Sequence, residues 1–488
     1  MQRHLAVLVL TATLAMSLVG PMTWASAAPP DVLSPPAAAT PAAVEVDSTP
    51  AIGKAALAGR GSGAGFGQRA QALLGIVVMC AAAWFFRLRK PGQRFPWRVV
   101  LGGTGLQFAF ALLILKTDIG TPAFSAVNDI FVRLMDFSDE GARFLFGDLV
   151  QKPGPGMHWW NGAGAFVGFS VLPTIIFFSA LMAVLYHVGF MVRIVRIFSR
   201  FVARALGTSG AETLSATGNI FVGQTEAPLL IRPFLPKMTS SELHTVMVGG
   251  FATVAGGVMA AYVSMLHAQF PGIAGHLLAA SIMSAPAALV FGKLLLPESE
   301  VPETSPGAII DVPRVHANVI EAAAAGAADG LKLALNVGAM LLAFIAIIAL
   351  LNALIAWTFG LVGVEGITLQ RVFGWCFAPI AWLLGTAAEE SVEVGSLLGI
   401  KMVLNEFVGY LELAGNLAGP NPLSPRAVVI STYALCGFAN FSSIAIQIGG
   451  ISGIAPERRR DLAVLGVRAM IGGTLAAFMT AALAGLLV

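Results

Sequence analysis

Three polar residues in a row, Gln224-Thr225-Glu226, lie inside the stretch GNIFVGQTEAPLLI (218–231), with long apolar segments on either side. A second carboxylate, Glu406, stands in IKMVLNEFVGYLEL (400–413), and Asn440 and Ser443 follow in GFANFSSIAIQIGG (437–450). Together these side chains offer hydrogen-bond donors and acceptors with no fixed positive charge among them. That chemistry suits a neutral ligand rich in hydroxyls and amides. An ionised carboxylate at bilayer depth costs about 2.5–3.5 kcal/mol on insertion scales, so an acid placed there is read as functional by default.

The bilayer is inferred from composition. The chain has 488 residues, 57% hydrophobic and 11% charged, with a mean hydropathy of +0.81, far outside the range of soluble domains. A net charge of +3 without a dense Lys/Arg face excludes a nucleic-acid partner. Cys80, Cys376 and Cys436 are dispersed through apolar segments, give neither a disulfide framework nor a metal spacing, and are read as packing residues. Residues 1–27 carry Arg3, an apolar run from Leu5 to Val19 and an Ala25-Ser26-Ala27 end, the pattern of a cleaved signal peptide. Residues 28–67, rich in Pro, Ala and Gly, are expected to form a disordered tail outside the cytoplasm.

The elements that position the polar residues follow from hydropathy. Apolar runs at 71–86, 98–116, 163–190, 243–268, 276–296, 331–358, 427–453 and 462–488 predict about eight transmembrane helices. The fold class expected is thus an all-α polytopic membrane protein. Lys and Arg cluster in 87–98, 193–204, 293–332 and 458–460, which places both mature termini on the outer side. Residues 124–150 and 191–207 have the pattern of interfacial helices, with Arg193, Arg196, Arg200 and Arg204 recurring every three or four positions.

Two regions do not fit spanning helices. Residues 211–236 and 386–413 each have apolar arms of half a span meeting at polar residues, and are read as re-entrant hairpins. GFATVAGG (250–257) follows the first and GFANFSSIAIQIGG follows the second, so the order of elements occurs twice. Charge counting gives the hairpins bases on opposite sides, an inverted repeat of the kind that places a binding site near the midplane of a transporter. The chain divides into N-terminal helices including scaffold (68–190), a first repeat half (191–300), an interfacial and scaffold helix (301–360) and a second repeat half (361–488).

The stretches GNIFVGQTEAPLLIRPF, GFATVAGGVMAAYV, GSLLGIKMVLNEFVGYLEL and LSPRAVVISTYALCGFANFSSIAIQIGGISGIAP closely resemble the concentrative nucleoside transporters, from about residue 70 to the C-terminus. The resemblance implies a homotrimer in the inner membrane that imports nucleosides by alternating access, with a scaffold domain and a mobile domain carrying both hairpins and two broken helices. It implies that Gln224 and Thr225 bind the nucleobase with Glu226 nearby through water, that Val258 and Phe438 give apolar contacts, and that Glu406, Asn440 and Ser443 hold the ribose. It further implies a sodium ion on Asn219, the carbonyls of Val222 and Val254, and the Thr253 hydroxyl. The residues alone leave a proton open as coupling ion, carried by Glu226 or Glu406, and leave open a sugar, a nucleobase or an amide-rich solute as ligand. No organic cofactor is expected. An embedded enzyme has little support, since HExxH, GxSxG and P-loop motifs are missing and His187, His244, His267 and His276 are expected away from the hairpin tips. A passive channel would lack ion coupling.

Overall fold

The computed structural model describes residues 65–88, 94–117, 120–150, 167–304, 316–361, 363–364 and 366–488. The signal peptide expected at 1–27 and nearly all of the 28–67 tail lie outside the described residues. The last two tail residues open the first helix instead. Every regular element among the described residues is helical.

Chain order is α1 Phe66–Phe85, α2 Trp97–Lys116, α3 Gly120–Phe146 and α4 Leu172–His187, the last entered through a π-helical turn at Val167–Val171. Then follow α5 Phe190–Leu206, α6 Gly210–Gly218, α7 Ser240–Ala252, α8 Gly256–Leu266 and α9 Ile273–Leu295. The rest is α10 Val319–Gly360, α11 Leu369–Leu383, α12 Ser391–Val403, α13 Glu406–Ala418, α14 Pro425–Leu435, α15 Phe441–Ile454 and α16 Arg459–Leu487. Seven helical stretches among the described residues are long and apolar enough to cross a membrane. The run expected at 427–453 is not one of them, because it is interrupted between α14 and α15. The run at 243–268 is interrupted too, between α7 and α8. Hydropathy registers the apolar composition of such runs and is blind to a backbone that leaves the helix for three to five residues.

Burial separates an inner set from an outer set. The window in α7–α8 is 100% buried and that in α9 is 89% buried, whereas α10 is 11% buried. Hydrophobic burial centres on α7, α9 and α16, with α2 packed along α9. α10 packs along α4 through Gly326 and Gly330, where an added Cβ would come within 2.6 Å of Ala183 Cβ and 2.8 Å of Ile176 Cα. Small residues at such positions let two backbones approach closely. The opposite face of α10 exposes Leu331, Leu335, Leu342, Leu350 and Trp357. α10 also begins twelve residues before the expected run at 331–358, because the Ala-rich segment 322–328 is a strong helix former and Asn318 caps its start.

The amphipathic segment at 191–207 is α5, which buries Met191, Val195, Val202 and Leu206 on one face. Gly189 and Gly207 bound it at φ 82° and 73°, backbone states that favour glycine. Arg98 reaches its C-terminal carbonyls, donating from Nη2 to Arg204 O at 2.7 Å. α11 has no counterpart in the expected elements; Arg371 and the internal Pro379 shorten its apolar run below a span. Cys376 lies on its exposed side, contrary to a packing role, while Cys436 is buried and Cys80 packs partly buried against the core.

Candidate functional site

The two helix breaks meet. α7 ends at Ala252 because Thr253 turns extended, at φ −125° and ψ 168°, and α8 resumes after Ala255. α14 ends at Leu435, and α15 resumes after Asn440. Between them Gly437 sits at φ 133°, where an added Cβ would lie 2.7 Å from the Phe251 carbonyl oxygen. Both the conformation and the space therefore require glycine. The Phe438 N–H donates to the Thr253 carbonyl at 3.3 Å, so the breaks contact backbone to backbone.

The structure also sets the register of the repeat. The residues capping the helices before and after each break are related by a single offset of 185 (239 to 424, 255 to 440). The Gly-Phe-Ala match at 250 and 437 is two residues out of that register. Gly250 precedes its break, whereas Gly437 lies within one.

At the second hairpin Asn405 caps α13 by accepting from Val408 N, and Glu406 is the first helical residue. Glu406 is 5% exposed. Tyr262 Oη on α8 donates to its Oε1 at 2.9 Å, and Asn440 Nδ2 donates to its Oε2 at 2.9 Å. Asn440 Oδ1 in turn accepts from Ser443 N at 2.9 Å and from Ser442 Oγ at 2.7 Å. Glu406, Asn440 and Ser443 are thus brought together. A carboxylate has about four lone-pair positions, so acceptor capacity remains for a pair of hydroxyl donors.

The first hairpin tip has a different build. α6 gives way at Asn219 to turns, and the return arm holds two short 3₁₀ turns, Ala227–Ile231 and Leu235–Lys237. Pro228, Pro233 and Pro236 remove the donors a returning α-helix would need. Gln224 Oε1 accepts from Gln447 Nε2 on α15 at 3.0 Å, and the same nitrogen donates to Met247 O at 3.1 Å. Thr225 lies against Gly450, where an added Cβ would sit 2.5 Å from its Cγ2. Gln224 and Thr225 therefore face α15. Glu226 does not. It accepts from Gly223 N at 3.1 Å and is exposed toward a cavity of about 550 Å³ that also involves Tyr186, His187, Gly256 and Asp329. His187, expected away from the tips, is the last residue of α4 and lines the same cavity as Glu226. His244 and His276 are buried, on Gly292 O and the Tyr433 hydroxyl.

Val258 is buried on α8 one turn before Tyr262, on the same helix face. Phe438 is partly buried beside the Thr253 carbonyl. The cation residues cluster around Gly249. Thr253 Oγ1 donates to Gly249 O at 2.9 Å, and an added Cβ on Gly249 would lie 3.4 Å from Asn219 Nδ2. Asn219 is fully buried, its Nδ2 donates to Ser215 O at 3.1 Å, and its Oδ1 has no hydrogen-bond partner. A buried oxygen without a donor is a vacancy in the bonding scheme that a hard cation fits. Val254 is fully buried and Val222 nearly so in the same two segments.

Sequence reasoning missed Tyr262 and Gln447. They occupy equivalent positions at the offset of 185 (262 to 447), and each reaches the hairpin tip of the other half. It also missed the base of the first hairpin. There Lys293 Nζ lies 2.8 Å from Glu212, 3.1 Å from Glu298 and 3.0 Å from Ser241 Oγ, while Ser209 and Glu212 form a capping box at the start of α6. Burial pushes the Glu298 carboxyl up, but the Lys293 ammonium and hydrogen bonds outweigh it and leave that group below the ordinary carboxylate range.

Three family profiles match the chain. The "Na+ dependent nucleoside transporter N-terminus" covers residues 74–149, "Nucleoside recognition" covers 168–269, and the "Na+ dependent nucleoside transporter C-terminus" covers 276–485. A Bacillus subtilis protein described as "Uncharacterized transporter YutK" is 44% identical over 418 residues, 85% of this chain and 98% of that one. "Sodium/nucleoside cotransporter 1" of Mus musculus is 40% identical over 435 residues, 86% of this chain and 64% of that one. A solved structure of CNTnw, in an inward-facing substrate-bound state, superposes with a TM-score of 0.78 at 42% identity, covering 86% of this chain and 97% of the other.

Proposed function

This chain belongs to the Na+ dependent nucleoside transporter family, and from that premise we propose that it is a sodium-coupled symporter importing nucleosides across the inner membrane. The observation that carries the reading is the meeting of Glu406, Tyr262 and Asn440 at the crossing of two broken helices. Helix ends at bilayer depth expose backbone groups to a ligand, and here a carboxylate with spare acceptor capacity stands among them. In this reading Glu406 and Asn440 accept and donate to the ribose hydroxyls, with Ser443 beside them. Gln224 and Thr225 present amide and hydroxyl to the base, Glu226 acts through water, and Val258 and Phe438 fill the apolar faces.

Sodium would bind Asn219, the Thr253 hydroxyl and the carbonyls of Val222 and Val254. The partnerless Asn219 Oδ1 supports that choice. Filling the site ties the first hairpin tip to the first break and so fixes Gln224. The cavity beside Glu226, with Arg193 and Arg232 at its lining, serves as the passage on the cytoplasmic side. One charge moving through 100 mV is worth about 2.3 kcal/mol, and a tenfold sodium gradient adds about 1.4 kcal/mol. One-to-one coupling therefore concentrates a neutral nucleoside several hundred-fold.

The relatives are transporters, and we read this chain as a transporter rather than an enzyme. A homotrimer with both mature termini outward, after removal of 1–27, completes the proposal; the exposed apolar face of α10 suits either lipid or a neighbouring copy. The test is uptake of labelled uridine into proteoliposomes with an inward sodium gradient, then with choline replacing sodium at fixed pH. Accumulation only with sodium supports the proposal. Accumulation driven by a proton gradient alone transfers coupling to a carboxylate, and no uptake of any nucleoside overturns the substrate assignment.

A further inference from the structure

Lys401 is a lysine buried inside the protein that the transport reading leaves without a task. It lies on α12, one turn before the second hairpin tip, and is 0% exposed. Its Nζ donates to the Ala434 carbonyl at 2.7 Å, at the end of α14 just before the second break. Glu406 follows five residues later across the same tip, Cys436 lies two residues beyond Ala434, and the Phe478 ring lies 6.0 Å from the ammonium. A buried ammonium is retained only where its charge is compensated, so a lysine at 0% exposure on the arm that leads to Glu406 requires a reason.

The repeat register supplies one. Ala434 is the counterpart of Gly249 at the offset of 185 (249 to 434), and Gly249 is the residue around which Asn219 and Thr253 gather. In the first half, the Gly249 carbonyl is taken by the Thr253 hydroxyl, and Asn219 leaves one oxygen without a donor. In the second half the counterpart of Thr253 is Phe438, which has no hydroxyl, and the carbonyl is taken by an ammonium delivered from the hairpin. One half has a spare acceptor where the other has a resident positive charge.

We propose that Lys401 is a built-in cation that stands in the second repeat where the exchangeable cation stands in the first, holding the second hairpin tip against its helix break and positioning Glu406. This rests on the reading of Asn219 and Thr253 as the cation site. It makes the second tip permanently organised and the first tip organised only when the ion is bound, so that a single exchangeable ion suffices. Lys401 touches no substrate in this scheme. It is a positioning residue acting through Glu406.

Two measurements test it. In hydrogen exchange on the full-length wild-type protein without nucleoside, adding sodium should raise protection at residues 219–226 and leave 401–408 unchanged. Equal protection of both tips overturns the proposal; a response at neither tip overturns the cation site itself and with it the symmetry argument. In the second, nucleoside binding to purified Lys401→Met and Lys401→Arg is measured at saturating sodium with uridine and with 2′,3′-dideoxyuridine. Lys401→Met should weaken uridine binding by about tenfold or more, with a far smaller effect on the dideoxy compound, and Lys401→Arg should recover part of the loss. Equal losses for the two ligands, or unchanged uridine binding, would reduce Lys401 to a packing residue. Failure of the wild type to bind uridine would instead sink the substrate assignment.

Discussion

The two hairpins occupy equivalent places in the repeat and are built from opposite materials. The first has an ionic base, Glu212, Lys293 and Glu298, and a tip whose Gln224 is held by another amide while its carboxylate, Glu226, turns away to a separate cavity. The second has a base in which Glu390 accepts from the Ser424 amide at 2.6 Å and its hydroxyl at 2.9 Å, and a tip with Glu406 at the start of one arm and Lys401 in the last turn of the other. Each tip is read by the opposite half, Glu406 by Tyr262 and Gln224 by Gln447. A sequence repeat therefore preserves the scaffold of contacts while the chemistry carried on it diverges. A carboxylate held by the opposite half at one tip and an amide so held at the other suit a site that must hold one part of its ligand constantly and another only after an ion arrives.

The largest break in the comparison should come at the ionic base. Lys293→Met leaves Glu212, 1% exposed, without its cation, and should destabilise the protein by about 3–5 kcal/mol. Thermal unfolding in detergent measures it, and Glu390→Gln at the other base is expected to cost about 1 kcal/mol. Next is the crossing itself: Gly437→Ala forces a Cβ against the Phe251 carbonyl at an unfavourable φ, and should cost about 3 kcal/mol in the same assay. At the tips, Glu406→Gln should weaken uridine binding by about tenfold to a hundredfold, by loss of a charged acceptor, while Gln224→Ala should weaken it about fivefold. Equal effects would mean that the tips are alike in function after all. The smallest effect is expected from Thr253→Ala, which should raise the sodium needed for half-maximal uptake by about threefold, with uridine affinity at saturating sodium unchanged; an unaltered sodium dependence removes Thr253 from the ion site.

What the sequence disclosed was polarity out of place. Glu406, Asn440 and Ser443 interrupt apolar runs, and hydrogen bonds through Asn440 join them. Tyr262 and Gln447 stayed hidden because each is flanked by apolar residues on its helix, and only the three-dimensional register shows that they are equivalents. The Gly-Phe-Ala match drew attention to the repeat and also concealed its register, since identical triplets stand two positions apart in structural terms. α11 escaped because a charge and a proline break its apolar run, and the direction of Glu226, away from Gln224 and Thr225, depends on how a turn is wound rather than on residue type. The ionic base was unreadable because Glu212 is far along the chain from Lys293 and Glu298, which are five residues apart.

The length of α10 has a consequence outside the protein. From Leu331 to Trp357 its exposed apolar face runs about 39 Å at 1.5 Å per residue, against a hydrocarbon layer of about 30 Å. Such a helix leans, or the surrounding lipid thickens to meet it, and either adjustment costs a fraction of a kcal/mol per Å of mismatch. Because α10 is joined through Gly326, Gly330 and Gly338 to α4, whose end lines the cavity beside Glu226, acyl-chain length becomes a variable of the assay: vesicles of long-chain lipids and of short-chain lipids should hold this helix at different inclinations.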